Sequence, residues 1–163
     1  MKQAYNNISI TSGAYAAGIF KIQIAPKEWL QYDIVPDFTT GKVLNQVLLT
    51  DNKSFIELSF TPDSYQFDEK PKNTKAGTYF EIKFEGIINN ITPEILLTLE
   101  TLRNHELVAI LYDKRRRQKI AGNAGAAMIL QYANQEDSKN GGVQICAVSL
   151  MMDSEAVTPF YEP

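Results

Sequence analysis

Apolar and polar residues alternate with a period of two along Thr78-Tyr-Phe-Glu-Ile-Lys-Phe-Glu-Gly86. Phe80, Ile82 and Phe84 fall on one side and Tyr79, Glu81, Lys83 and Glu85 on the other, the signature of a half-buried strand. The period then changes. Thr92-Pro93-Glu94 supplies an N-cap, a proline at the first helical position and an acid in the first turn, where the macrodipole favours negative charge. Ile95, Leu96, Leu99 and Leu102 recur at helical spacing, and Asn104 suits the C-cap, so the pattern predicts a helix over 93–104. Leu107-Val-Ala-Ile-Leu-Tyr112 is too short for another helix and reads as an interior strand.

The same reading gives strands over 19–24, 43–49, 56–60, 128–132 and 143–152, each bounded by Gly, Pro, Asn or Asp. Pro26-Lys-Glu-Trp-Leu30 is either a helical turn or a loop anchored by the single tryptophan. Residues 63–77 mix Pro71, Asn73, Gly77 and three lysines with few aliphatics, so a flexible exposed loop is expected near 68–77, with Tyr65 and Phe67 extending a strand into it. Gln135 to Gly142, ending in Asn-Gly-Gly, has the chemistry of a hairpin turn. Gly122-Asn-Ala-Gly125 follows a polar hairpin and reads as a bend or bulge. The expected fold is mainly β (α+β): an antiparallel β-barrel or β-sandwich with one main helix packed on the sheet.

Length and composition fit one domain over 1–163: 163 residues, 44% hydrophobic, formal net charge -3. No run of about 18 apolar residues offers a membrane span, and the opening residues hold no hydrophobic segment. The expectation is a cytoplasmic protein without membrane partners. Cys146 is the single cysteine, which excludes an internal disulfide, and its apolar surroundings suit a core thiol.

Catalytic chemistry finds no foothold in the sequence. His105 is the only histidine and sits at the helix-to-strand junction, where a cation can simply meet the helix's terminal carbonyls. No nucleophile elbow, phosphate loop or dinucleotide fingerprint occurs, and nothing selects a pair among the carboxylates. Neither a cofactor nor a metal site is expected.

Charge is uneven. Lys114, Arg115, Arg116, Arg117 and Lys119 supply five of the sixteen basic residues within six positions, whereas residues 124–163 carry five acids against Lys139 alone. Three readings stay open for this basic hairpin: a solvated turn, contact with an acidic surface on another protein or another copy of this chain, and contact with nucleic acid. The last is weakened by the absence of interleaved aromatics for base stacking. The C-terminal arm near 153–163, with Phe160 and Tyr161, either packs on a neighbour or folds back on its own sheet.

Phe84-Glu-Gly86, the Thr92-Pro93 helix with Leu99 and Leu102, Leu107 to Asp113, Ile120-Ala-Gly122, Gly141-Gly142 and Thr158-Pro-Phe-Tyr161 together resemble prophage-encoded virion structural proteins of the tail or head-to-tail junction. The resemblance spans roughly Phe80 to Tyr161; Lys114-Arg-Arg-Arg117 stands where such proteins carry an Asn-Gly-like turn. It implies a tail-tube-like β fold with a flanking helix, a homo-oligomer assembling with other virion proteins through strand edges, loops and complementary charge, and a place in the virion. The alternative reading is a small-ligand-binding barrel whose cavity is lined by Tyr65, Phe67, Phe80 and Phe84.

Overall fold

The computed structural model describes residues 21–163 apart from 38, 62, 90, 113–116, 124, 138–142, 156–157 and 163. Among the described residues eleven strands and one α-helix follow in order: β1 Lys21–Pro26, β2 Pro36–Asp37, β3 Lys42–Val43, β4 Ile56–Ser59, β5 Gln66–Thr74, β6 Gly77–Asn89, α1 Pro93–Arg103, β7 Leu107–Tyr112, β8 Gln118–Ala121, β9 Ile129–Asp137, β10 Val143–Ser154 and β11 Phe160–Tyr161. They form a seven-stranded sheet, ordered β2-β3-β11-β8-β7-β1-β4, and a four-stranded sheet, ordered β5-β6-β10-β9. Every pairing is antiparallel except β11 with β3. The two sheets face each other without closing into a barrel, so of the two expected architectures the sandwich is the one formed.

Hydrophobic pattern explains the layering. In β7 every residue from Leu107 to Leu111 is buried, because both faces of the strand are covered. Leu107, Ala109 and Leu111 join Ile22, Ile24, Ile82, Phe84, Leu130 and Leu150 in the core between the sheets. Val108 and Ile110 point the other way, into a second core with Trp29, Ile34, Val47, Ile120 and Tyr161. That second core is roofed by Trp29, Leu30, Ile34, Val43, Val47 and Leu49. A 3₁₀ turn over Lys27–Trp29 buries the tryptophan there, resolving the open reading of that segment in favour of a helical turn.

The helix forms as its caps dictate. Thr92 Oγ1 accepts the Ile95 N–H at 3.3 Å, Asn104 is the C-cap, and Ile95, Leu99 and Leu102 are its buried face. It lies against β9, and the Tyr132 hydroxyl donates to Glu100 Oε2 at 2.6 Å.

Two glycines set close approaches. At Gly86 on β6 a Cβ would stand 2.4 Å from the Phe60 ring, and at Gly122, with φ +100°, it would stand 2.7 Å from the Leu107 carbonyl oxygen. Each position therefore admits a fold contact that a side chain would block. The expected bend after β8 is present: Asn123 Oδ1 accepts the N–H groups of Gly125 and Ala126 at 2.8 and 2.9 Å.

Two expectations are corrected. The exposed loop near 68–77 is instead most of strand β5, paired residue for residue with β6 from Gln66↔Glu85 to Thr74↔Gly77. Its alternation is hidden because it is an edge strand whose second half is exposed throughout. The strand over 43–49 shrinks to Lys42–Val43. Asn45 diverts it: its Oδ1 accepts the Val35 N–H at 2.9 Å and its Nδ2 donates to the Asp33 carbonyl at 2.8 Å, a side-chain alternative to a ladder.

Candidate functional site

The basic hairpin is only partly placed, since Lys114, Arg115 and Arg116 lie outside the described residues. Arg117 and Lys119 meet the C-terminal arm. Arg117 Cζ is 5.3 Å and Lys119 Nζ 5.2 Å from the centre of the Phe160 ring, and Lys119 Nζ is also 5.4 Å from the Phe67 ring. These are cation–π distances. Sequence distance conceals this cluster, because Phe67 comes from β5 and Phe160 from β11. The aromatics that the hairpin lacks locally are supplied by other strands, with cations of the same chain already over them.

Lys119 is further held by Glu69 across the two sheets, at 3.3 Å, with the two side chains 25% and 18% exposed. The other oxygen of Glu69 accepts the Thr158 N–H at 2.9 Å. One half-buried carboxylate thus ties β5 to β8 and to the C-terminal segment. Such a charge-assisted pair is worth more than an exposed one, on the order of 1–3 kcal/mol for its hydrogen bonds.

The arm folds back on its own sheet. Phe160 and Tyr161 pair with Lys119 and Gln118, Tyr161 is 7% exposed, and its hydroxyl accepts the Val47 N–H at 3.2 Å. Tyr161 is therefore a core residue of this chain, and its side chain is not available to a partner; Phe160 is half-buried under the two cations.

The aromatics put forward to line a cavity do something else. Phe84 is fully buried, and Tyr65, Phe67 and Phe80 pack against the same core. Phe60 and Phe84 meet edge to face with centroids 4.9 Å apart. A concavity exists elsewhere: a cleft of about 380 Å³ at one flank of the sandwich. Its floor comes from both sheets, through Ile82 and Met152 on one side and Ile120 on the other, and among the described residues its rim holds Gly122, Gly125, Asp153, Glu155, Thr158 and Pro159. Nothing in the sequence joins these segments; only the sheet pairing does.

Thr158 belongs to that wall and is unusual. It is 4% exposed, the only buried polar residue among the described core positions, and its Oγ1 has no hydrogen-bond partner among the described residues. A buried hydroxyl left so costs about 1–3 kcal/mol.

His105 sits beside Glu28, Nδ1 to Oε1 at 3.4 Å, and its backbone N–H donates to the Leu102 carbonyl at the helix end. Cys146 is fully buried in the inter-sheet core, and burial pushes its thiol above the ordinary range. Among the described residues no three His, Cys, Asp or Glu side chains group as metal ligands, and no helix is long and apolar enough to cross a membrane.

Comparison with known proteins adds no relative. No family model matches the chain, and no match was found among curated proteins or solved structures.

Proposed function

We propose that this chain is a non-catalytic structural protein of the prophage virion type, which assembles with copies of itself through a sheet edge. The observation that carries the reading is the contrast between the two edges of the four-stranded sheet. Exposed strand edges are templates for pairing with another chain, and proteins blunt them with lysine, proline or short length. The β5 edge carries Lys70, Pro71 and Lys72, all exposed. The β9 edge spans nine residues, and from Ile129 to Gln135 it holds no proline, glycine or charge. Among the described residues β9 has β10 on one side and no strand on the other. Ile129, at its start, is 43% exposed.

A strand edge free of proline and charge from Ile129 to Gln135 is a liability for a monomer and a docking device for an assembly. Pairing β9 with β9 of a second copy gives a closed two-fold dimer; pairing it with a different edge gives a ring or filament. The sandwich with one flanking helix is the architecture that the virion resemblance implies, and it supports the same reading.

Light scattering across concentration and salt tests it. Mass should rise with concentration and persist at high salt, because the β9 edge is uncharged from Ile129 to Gln135. Ala133→Lys, at an exposed position of that edge, should return the protein to monomer while changing its stability by less than about 0.5 kcal/mol. Association that vanishes with salt would transfer the role to the basic cluster. A wild-type monomer at every concentration would end the proposal.

A further inference from the structure

The β9 edge could meet a second copy at any of its edges, and the edges themselves narrow the choice. Among the described residues the two sheets end in four strands, β2 and β4 in one and β5 and β9 in the other. β2 has two residues and begins with Pro36. β4 has four, and its Glu57 is held by Lys21 of the neighbouring strand at 3.0 Å. β5 equals β9 in length at nine residues, but Pro71 has no N–H to give a ladder and the exposed Lys70 and Lys72 flank it. The edge that fits β9 is β9 itself.

Direction and register follow from charge. Ile129 to Gln135 is uncharged, and Glu136 and Asp137 end the strand. In a parallel pair each acid would stand across from its own copy, which like charges disfavour; in an antiparallel pair the acidic ends lie at opposite ends of the joint. One antiparallel register pairs all seven residues from 129 to 135 with one another. It sets Tyr132 on a two-fold axis, with Ile129 across from Gln135, Leu130 from Asn134 and Gln131 from Ala133. A slide one way puts the acids across from Ile129 and Leu130, and a slide the other way carries Asn134 and Gln135 past the start of the partner strand.

The outer face of the sheet agrees. Ile129, Gln131, Ala133 and Gln135 are exposed, and across the ladder Met151, Ser149, Ala147 and Ile145 stand beside them. The first charges in these rows are Lys83 and Glu85, a further strand away on β6. Two such faces brought side by side set no charge against another at the joint.

We propose that two copies of this chain join β9 to β9, antiparallel about a two-fold axis at Tyr132, so that the two four-stranded sheets become one. Such a dimer rests on the reading of the β9 edge as an assembly surface. It is closed, because both β9 edges are used up and the β5 edges left outside are guarded.

The test is disulfide trapping on the full chain with Ile129→Cys and Gln135→Cys, two exposed positions; the native Cys146 is buried, and the wild type is the control. Residues opposed in an antiparallel pair have Cα atoms about 4.5–5.5 Å apart, within disulfide reach. Each cysteine's own copy lies six positions further along the strand, about 20 Å away. Neither variant should therefore link to itself, an oxidised mixture of the two should give a disulfide-linked dimer, and Ala133→Lys added to both should abolish the link. Light scattering should show the wild-type mass rising to twice that of the chain and no further. Three results would overturn the two-fold register: either variant linking alone, no link in the mixture although the mass doubles, or mass beyond the dimer. If Ala133→Lys still returned the wild type to monomer in those cases, the β9 edge would stand as the assembly surface with a different mate. A wild type that stays monomeric would overturn both.

Discussion

Replacing Gly86 by alanine sets two effects of opposite sign against each other. Alanine in a strand loses less chain entropy on folding than glycine, a gain of about 0.5–1 kcal/mol. Against it stands the Phe60 ring, whose Cδ1, Cγ and Cε1 would lie 2.4, 2.8 and 3.0 Å from the new methyl. Carbon atoms pack at about 3.5–4.0 Å, so the ring or the strand must move by about 1 Å. The ring has little freedom: Phe60 is 3% exposed, and Phe84 packs against it edge to face at 4.9 Å between centroids. β6 is equally fixed, held between β5 and β10. Overpacking of this kind costs about 1–3 kcal/mol, and the upper half of that range applies where neither side yields. The net expectation is a loss of about 2 kcal/mol, seen as a lower urea midpoint at unchanged slope and a Tm lower by about 4–8 °C. Phe60→Leu is the partner substitution. It should cost about 1–2 kcal/mol alone, yet make room for the methyl that Gly86→Ala adds, so the double variant should be more stable than the sum of the single losses by about 1 kcal/mol or more. A stabilised Gly86→Ala, or a strictly additive double variant, would refute the claim that this glycine sets the sheet-to-sheet distance.

Tyr161→Ala should destabilise the isolated chain by about 3–4 kcal/mol, as for other large buried aromatics, and Tyr161→Phe by about 1 kcal/mol for the Val47 hydrogen bond; chemical denaturation decides, and loss of assembly with stability intact would contradict the folded-back arm. Cys146 should resist a thiol reagent in the native protein and react stoichiometrically after unfolding, since burial both screens the thiol and raises its pKa. Glu100 is held below the usual carboxylate range, first by the Tyr132 hydroxyl and then by Arg103. A depressed carboxylate contributes stability that is present above its unfolded pKa and lost as pH falls through the folded one. Tyr132→Phe should therefore flatten the fall of the urea midpoint as pH drops below the ordinary glutamate range, and an unchanged acid slope would show that the pair does not carry it.

Legibility in the sequence followed how local each signal was. The helix was readable to within a residue, because Thr92, Pro93, Glu94 and the Leu99–Leu102 stripe all lie in or beside it. β7 was readable as interior because a strand covered on both faces has no polar alternation to mimic anything else. Two kinds of element were not. β5 is guarded by lysine and proline, the same residues that signal a loop, so edge protection and irregular chain look alike until a partner strand is seen. The strand over 43–49 failed for the opposite reason: apolar residues filled it, but Asn45 captured the backbone groups that a ladder would use. The cleft and the Lys119–Glu69 clasp were illegible altogether. They join β5, β6, β8, β10 and the C-terminal segment, and no periodicity in any one of these reports on the others.

The start of β9 is anchored apart from its edge. Met128 bridges back to Leu107 by two backbone hydrogen bonds of 2.9 and 2.8 Å and is fully buried in the core, and packed interiors resist small displacements instead of passing them on smoothly. Pairing a second strand on β9 should therefore leave the core of the protomer as it is, and Ala133→Lys should change the association of the chain while its denaturation midpoint stays where it was.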